Sequence, residues 1–444
     1  MPILTQEDAR ALARRVLSMA TGDASVVLNG GRQAHLRFAA NTVTTSGDAD
    51  DLEVTVTAYD GKRRATVGAN QTDDATLRRL VEQAERLAKL APEDPEHLPL
   101  LGPQEYTATP AWVEATANLP AKARSEAAGR AIREATARKL VGAGFYRNSG
   151  GFRALANSKN LFAYRTASDA GFTMTVRTPD GAGSGYAAAA SHDAARLDTA
   201  AVAATAAEKA LASREARELP PGAYTVVLEA QAVADLLATL NFALNARSAD
   251  EGRSVFSAPG GKNRIGEKIF APLVNLYCDP ASDLAPGSPF SEEGLPSRKI
   301  PWVRQGVLEN LVYTRFWAEK SGKQPTGFPT NMIMDGGRNS LDDLIAATEK
   351  GLLITRFWYI RPVNPQTMLL TGLTRDVVFF IERGKVQYPV RNFRFNESPV
   401  EMLKNAEMLG PQKRVGSSEQ GRFAMVLPAI KARSFRFTSL SEAV

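Results

Sequence analysis

Histidine and cysteine are nearly missing from this chain: His35, His97, His192 and Cys278 are the only such residues among 444. They stand far apart, and no HExxH, HExxxH, CxxC or His-x-His spacing occurs, which excludes a self-contained zinc site of the common kinds. One cysteine excludes an intrachain disulfide framework. No stretch approaches the roughly 18 apolar residues of a membrane span. The opening residues MPILTQEDARALARRVL mix acids and arginines into an amphipathic pattern, without the apolar run of about ten residues that a secretory signal needs. A reducing, cytoplasmic setting with no membrane partner is expected. Basic runs with interleaved aromatics are also lacking. The 54 basic and 48 acidic residues are interspersed, so the net charge of +6 does not concentrate into a nucleic-acid surface.

What is present is a globular composition, 44% hydrophobic, in a chain long enough for two or three domains. An opening helix carries Leu12, Val16 and Met19 at helical spacing. Leu52, Val54, Val56 and Ala58 alternate with polar residues as a half-buried strand, and Asp60-Gly61 turns it into a hairpin. Thr72 or Asp73 caps a helix whose apolar face is Leu77, Leu80, Val81, Ala84 and Leu87. The proline-rich segment 91–110 reads as an extended connector. A helix over about 122–140 follows, then strands at 151–157, 161–167 and 172–177. Asp169-Ala170-Gly171 and Pro179-Asp180-Gly181 are expected to be their turns. An alanine-rich helix over roughly 193–214 leads to RELPPG, where two prolines and a glycine interrupt the pattern.

Beyond that junction the pattern predicts a strand at 224–228 and one continuous amphipathic helix at 231–247, with Val233, Leu236, Leu237, Leu240 and Leu244 on one face. Strands are expected at 269–277, 306–312 and 352–357, and a hairpin of 377–382 with 386–390 about Arg383-Gly384. Ser340 with Asp343 has the form of a capping box. Ser398, Pro399 and Glu401 start a further helix, which Gly410-Pro411 ends. The expected fold class is α+β. A domain over 1–216, with helices and antiparallel strands and possible subdivision at the connector, precedes a strand-rich, barrel-like domain with a mixed sheet over 222–444.

Few residues carry obvious chemistry. GAGSGY at 181–186 lacks the helix that a phosphate-binding glycine loop needs directly after it. Ser191, His192 and Asp193 are too close in sequence to form a triad among themselves, and His192 reads as an exposed or capping residue. Glu292-Glu293 reads as a solvated loop pair. The cluster Asn331-Met332-Ile333-Met334-Asp335-Gly336-Gly337 is more suggestive, because paired glycines after an apolar strand let backbone approach a ligand.

From Gly222 onward the order of segments YTVVLEAQAVADLLATL, EGRSVFS, EEGLPSRKIPWVRQGVLENLVYTRFWAEKSG, NMIMDGG, GLLITRFW and TGLTRDVVFFIERGKVQYPV resembles the TldD/PmbA family, once described as modulators of DNA gyrase and understood as metallopeptidases. A weaker match extends through the N-terminal region. The resemblance implies that catalytic members carry HExxxH on the helix after the first C-terminal strand and hold a metal there with a later cysteine. Counting back from GRSVF, those positions fall at about Leu237, Ala238, Thr239, Leu240, Asn241 and Phe242, none of which ligates zinc. Cys278 reads as a buried structural thiol.

The resemblance is therefore to the PmbA, or TldE-like, branch. It implies a subunit with no catalytic or metal-binding residues and no cofactor of its own, zinc being carried by a TldD-like partner. The two subunits would enclose a chamber for unfolded or modified peptide, bound by strand addition. Dimerisation, with that partner or with itself, would bury more than the roughly 1,200 Å² of a specific interface. Arg247, Asn331, Gly336 and Gly337 are the candidate peptide-binding residues. A homo-oligomeric peptide-binding or scaffold protein, and a hydrolase with a non-zinc site, are the alternatives. Purified protein is expected to carry no stoichiometric zinc. Elemental analysis finding about one zinc per chain after chelator-free purification contradicts this.

Overall fold

The computed structural model describes residues 3–419 and 423–442; residues 420–422, within the family-like tail, lie outside the described residues. Its first sheet has six antiparallel strands in the order β3-β2-β1-β4-β5-β6, where β1 is Ala24–Ala39, β2 Thr42–Asp60, β3 Arg63–Ala69, β4 Val141–Asn157, β5 Phe162–Arg177 and β6 Ser184–Ser191. Strand β1 pairs with both β2 and β4, so the sheet runs unbroken across the connector at 91–110.

A strand's period of two segregates the faces. Even-numbered residues form the apolar one. Val26, Leu28, Val54, Val56, Ala154 and Ala156 pack beneath helices Gln6–Leu17 and Asp74–Leu90. Leu36, Phe38, Tyr146, Phe172 and Met174 pack beneath Ala121–Ala137 and Thr199–Ala212, whose buried alanines let the helices lie close. Asp73 caps the second helix through Thr76 N, 2.9 Å away. Leu87 is 42% exposed, and Ala88 takes the expected core position.

The second sheet starts at β7, Gly222–Leu228, and contains thirteen strands. It is mixed: β7 runs parallel to Lys350–Ile354, and Met332–Met334 runs parallel to the long final strand Met425–Leu440, while its other pairings are antiparallel. The strand order describes an open sheet with branches and no closed barrel among the described residues, which corrects the barrel-like expectation. Its core includes stacked rings, with Phe357 5.4 Å from Phe435 and Phe393 4.9 Å from Phe437.

Several local expectations change. Asp169-Ala170-Gly171 is not a turn but the middle of β5, and the three predicted strands merge into two long ones. His192 is buried rather than exposed. The continuous helix of 231–247 is three pieces, Ala230–Leu237, Leu240–Ala243 and Ala246–Asp250. At the first break Thr239 Oγ1 donates to Leu236 O at 2.8 Å, a local bond that competes with helix continuation; at the second, Asn245 caps Ser248 N. All five expected apolar residues are nonetheless fully buried. The helix begun by Pro399 ends at Lys404, and Gly410-Pro411 sits in strand Ala406–Val415 at a register shift, where a missing donor is tolerated. The predicted strands at 269–277 and 306–312 shrink to Leu276–Cys278, Ile300–Arg304 and Val307–Leu308.

One buried acid pins the end of the fold. Asp235 accepts from Ser418 N at 2.8 Å, Ser418 Oγ at 2.9 Å, Gln231 Nε2 at 3.1 Å and Phe357 N at 3.1 Å. Burial pushes its carboxyl up from 3.8 to about 7, against the lowering effect of those donors. A carboxyl with a raised folded pKa contributes stability below the unfolded value that is lost as pH rises through the folded one. Between pH 4 and 7 the parent should therefore lose on the order of 4 kcal/mol relative to Asp235→Asn in urea unfolding. Parallel pH profiles for the two proteins contradict this.

Candidate functional site

The face of the first sheet that carries no helices looks toward the second half, and a cavity of about 610 Å³ lies between them. Its walls come from β4 and β5, the segment 286–295, Thr314 and Arg315, the loop 327–330, and Arg414 on strand Ala406–Val415. The odd-numbered residues of β4 and β5 that point here are polar or small, since only the even ones are needed for the core.

Four guanidinium groups and three carboxylates line this cavity. Arg153 is ion-paired to Glu292 and donates to Asn29 Oδ1 at 3.0 Å. Arg315 pairs with Glu293 at 3.1 Å and donates to Pro99 O at 2.8 Å. Arg414 pairs with Asp169 at 3.3 Å, and the same carboxylate is bonded by Arg147. The acids at 292 and 293 are solvent-exposed, as expected of a solvated loop pair, and each also pairs with a neighbouring arginine, tying the loop 286–295 to the cavity wall. Arg165 is left over. It makes no hydrogen bond or ion pair among the described residues, and its Nε is buried without a partner. Burial lowers its affinity for a proton and neighbouring Arg153 lowers it further, with Glu292 acting weakly in the other direction.

Three more buried polar atoms on the cavity wall lack a hydrogen-bond partner: His192 Nδ1, Thr330 Oγ1 and Nε of Arg414, whose other nitrogens are bonded. The proton affinity of His192 is held below the usual imidazole value first by burial, then by Arg414 and Arg196. It is a neutral ring at neutral pH.

The register of the first sheet builds a trough that joins this cavity. Asp51, Gly31, Gly151 and Ala167 lie opposite one another on β2, β1, β4 and β5, forming a row nearly bare of side chains. The row on one side is Glu53, Asn29, Arg153 and Arg165; on the other it is Ala49, Gln33, Ser149 and Asp169. The glycines are sterically required: a Cβ at Gly31 would stand 2.4 Å from Gly150 O, and one at Gly151 2.7 Å from Gly30 O. A second cavity, of about 430 Å³, occupies this trough and meets the first at Arg153, Arg165 and Ala167. Three strand spacings of about 4.8 Å make a row roughly 14 Å long, the length of about four extended residues.

The candidates drawn from sequence fall elsewhere and do not converge. Asn331 is fully buried; its Nδ2 donates to Asp279 O at 2.7 Å and its Oδ1 accepts from Asp279 N at 2.9 Å, which pins the loop after Cys278. Gly336 and Gly337 lie against the backbone of Leu409 to Gln412, where a Cβ on Gly337 would be 2.1 Å from Leu409 O. Arg247 pairs with Glu96 at 2.6 Å and Glu251 at 3.0 Å, and so fastens the proline-rich connector to the second half. Cys278 is buried and its thiol pushed up to about 11 by that burial. Leu237, Ala238 and Leu240 are core residues, Phe242 is 76% exposed, and no three His, Cys, Asp or Glu side chains gather to hold a metal among the described residues. Sequence reasoning missed Arg153 and Arg165; the usable signal was that both occupy odd positions, opposite the apolar set, in consecutive strands.

Comparison with known proteins places this geometry. Profiles of the PmbA/TldA metallopeptidase family match residues 24–88 as domain 1, 114–214 as the central domain and 221–439 as the C-terminal domain. An uncharacterized protein of Methanocaldococcus jannaschii is 29% identical over 205 residues, 43% of this chain and 47% of that protein. A metalloprotease TldD homolog of Haemophilus influenzae is 25% identical over 169 residues, 34% of each. The chain thus spans less than half the length of these relatives. Among solved structures, TldE from Thermococcus kodakarensis superposes with a TM-score of 0.86 at 19% identity, covering 97% of this chain and 99% of that one. A Thermotoga maritima protein described as a candidate modulator of a DNA gyrase superposes at 0.84 with 17% identity, covering 97% and 100%. At such identities the superpositions establish the fold, while the profile matches, running in order from residue 24 to residue 439, establish the lineage. The chain belongs to the PmbA/TldD metallopeptidase family.

Proposed function

We propose that this chain is the metal-free, TldE-like subunit of a cytoplasmic peptidase complex, and that it supplies part of a peptide chamber whose zinc belongs to a TldD-like partner. One observation carries the reading: no HExxxH occurs in the chain, and counting back from GRSVF the six positions fall at about Leu237, Ala238, Thr239, Leu240, Asn241 and Phe242, which offer neither metal ligands nor a glutamate base. The broken helix supports it. Histidines at i and i+5 on a regular helix lie about 140° apart, so a metal-binding version of this segment needs a distortion of the kind found between Leu237 and Leu240. The fold accommodates the site while the side chains do not form one.

The face of the first sheet gives such a subunit something to do. A trough nearly bare of side chains beside arginines, opening into a larger cavity, offers an extended chain room; the backbone of its floor is already paired within the sheet, so its polar contacts come from the bordering side chains. In this reading the chain binds and positions peptide, and bond cleavage takes place on the partner's metal.

Full-length protein alone should show no turnover of unstructured peptides. Mixed with a HExxxH-bearing homologue it should raise that homologue's kcat/KM, and chelator should abolish the combined activity. Chelator-insensitive turnover by the isolated chain contradicts the proposal in favour of a hydrolase with its own non-zinc site. No effect on the homologue, with a stable homo-oligomer throughout, contradicts it in favour of a scaffold.

A further inference from the structure

We infer that Arg165 is a carboxylate-binding subsite, and that the chamber receives peptide with a carboxylate, terminal or on a side chain, seated where the trough enters the cavity. The inference rests on the chamber reading in taking the ligand to be a peptide.

The first argument is charge. Of the cavity's four arginines, Arg153, Arg315 and Arg414 each have a carboxylate, and Asp169 is further shared with Arg147. The wall therefore holds one guanidinium more than it holds acids, and Arg165 is the one with no hydrogen bond or ion pair of its own among the described residues, Glu292 near it being bonded to Arg153. Arg165 is half-buried, and its buried Nε has no hydrogen-bond partner; a cation partly stripped of water with no bonded counter-ion costs stability.

The second argument is position. Arg165 stands directly opposite Arg153 in the β4–β5 ladder, and like charges in that relation repel. A methionine or leucine at 165 would fill the same place without either penalty. An arrangement unfavourable in the empty protein becomes favourable once an anion sits between the two, since a guanidinium fork matches the two oxygens of a carboxylate.

The third argument is access. Arg165 lines both cavities, at the end of the Glu53–Asn29–Arg153–Arg165 row that borders the bare trough. A chain of about four extended residues lying along the trough delivers its end, or a side chain near it, to this arginine. At the far end of the trough Asp51 and Glu53 carry the opposite charge, which fixes the direction. The carboxylate goes to Arg165, and an amino or basic group goes toward the acids.

The test measures anisotropy of three labelled unstructured peptides of identical length on the full chain: one with a free C-terminus and neutral side chains, its C-terminal amide, and the amide with glutamate in place of one glutamine. The parent should bind at least one carboxylate peptide about tenfold or more tighter than the plain amide, the size of a hydrogen-bonded charge pair. Which of the two gains identifies the source as chain end or side chain. Arg165→Met should erase that difference while leaving amide binding unchanged, and Arg165→Lys should restore part of it. Because Arg165→Met removes a half-buried charge that makes no hydrogen bond or ion pair and faces Arg153, it should unfold at the same or a higher temperature than the parent, which separates lost binding from lost structure. Equal binding of all three peptides by the parent overturns the inference and leaves the chamber reading standing, as does a preference that survives Arg165→Met. No binding of any peptide overturns both.

Discussion

The helices of the first half cover one face of its six-stranded sheet, and the alternation of β4 and β5 sends Arg147, Arg153, Arg165 and Asp169 to the other. Such a face cannot be buried by an apolar layer without stranding its charges. The second half meets it with polar groups instead. Arg414 reaches Asp169, Glu292 reaches Arg153, and Arg356 and Ser184 share Asp376, while from the helix layer Lys209 pairs with Glu229. The two halves are held by these polar contacts together with one small apolar cluster, in which Phe290 packs on Leu155, Leu161 and Ala163, around a space that stays open.

The segment Ala230–Asp250 is anchored by the burial of Val233, Leu236, Leu237, Leu240 and Leu244, so its place in the fold depends on apolar packing. The cavity survives for a different reason. Its glycine rows are fixed by close backbone approach, and its arginines are fixed by their partners, with the single exception of Arg165.

Much of this architecture was legible in the sequence wherever one local rule dominated. The alternation at 52–58, the Asp73 cap, the Ser340–Asp343 capping box and the Arg383-Gly384 hairpin all appear in the structure, because each depends on neighbours a few residues away. Errors arose where tertiary contacts overrode local chemistry. Asp169-Ala170-Gly171 has the composition of a turn, yet Asp169 is there to hold two arginines and Gly171 to clear the Arg147 side chain. The apolar stripe at 231–247 was read correctly as buried, but breaks at Thr239 and Asn245 leave no mark on its periodicity. The site was least legible of all. Arg153 and Arg165 are unremarkable in their own strands, and only the β4–β5 register brings them face to face.

The central claim is that this chain works as the metal-free partner of a metal-bearing relative. Native mass spectrometry of the tagged chain captured gently from its own cells, with the bound protein sequenced, tests it most directly. The account predicts a one-to-one complex with a HExxxH-containing family member that carries zinc. A chain recovered only as monomer or homo-oligomer, at concentrations where that relative is also present, would contradict it.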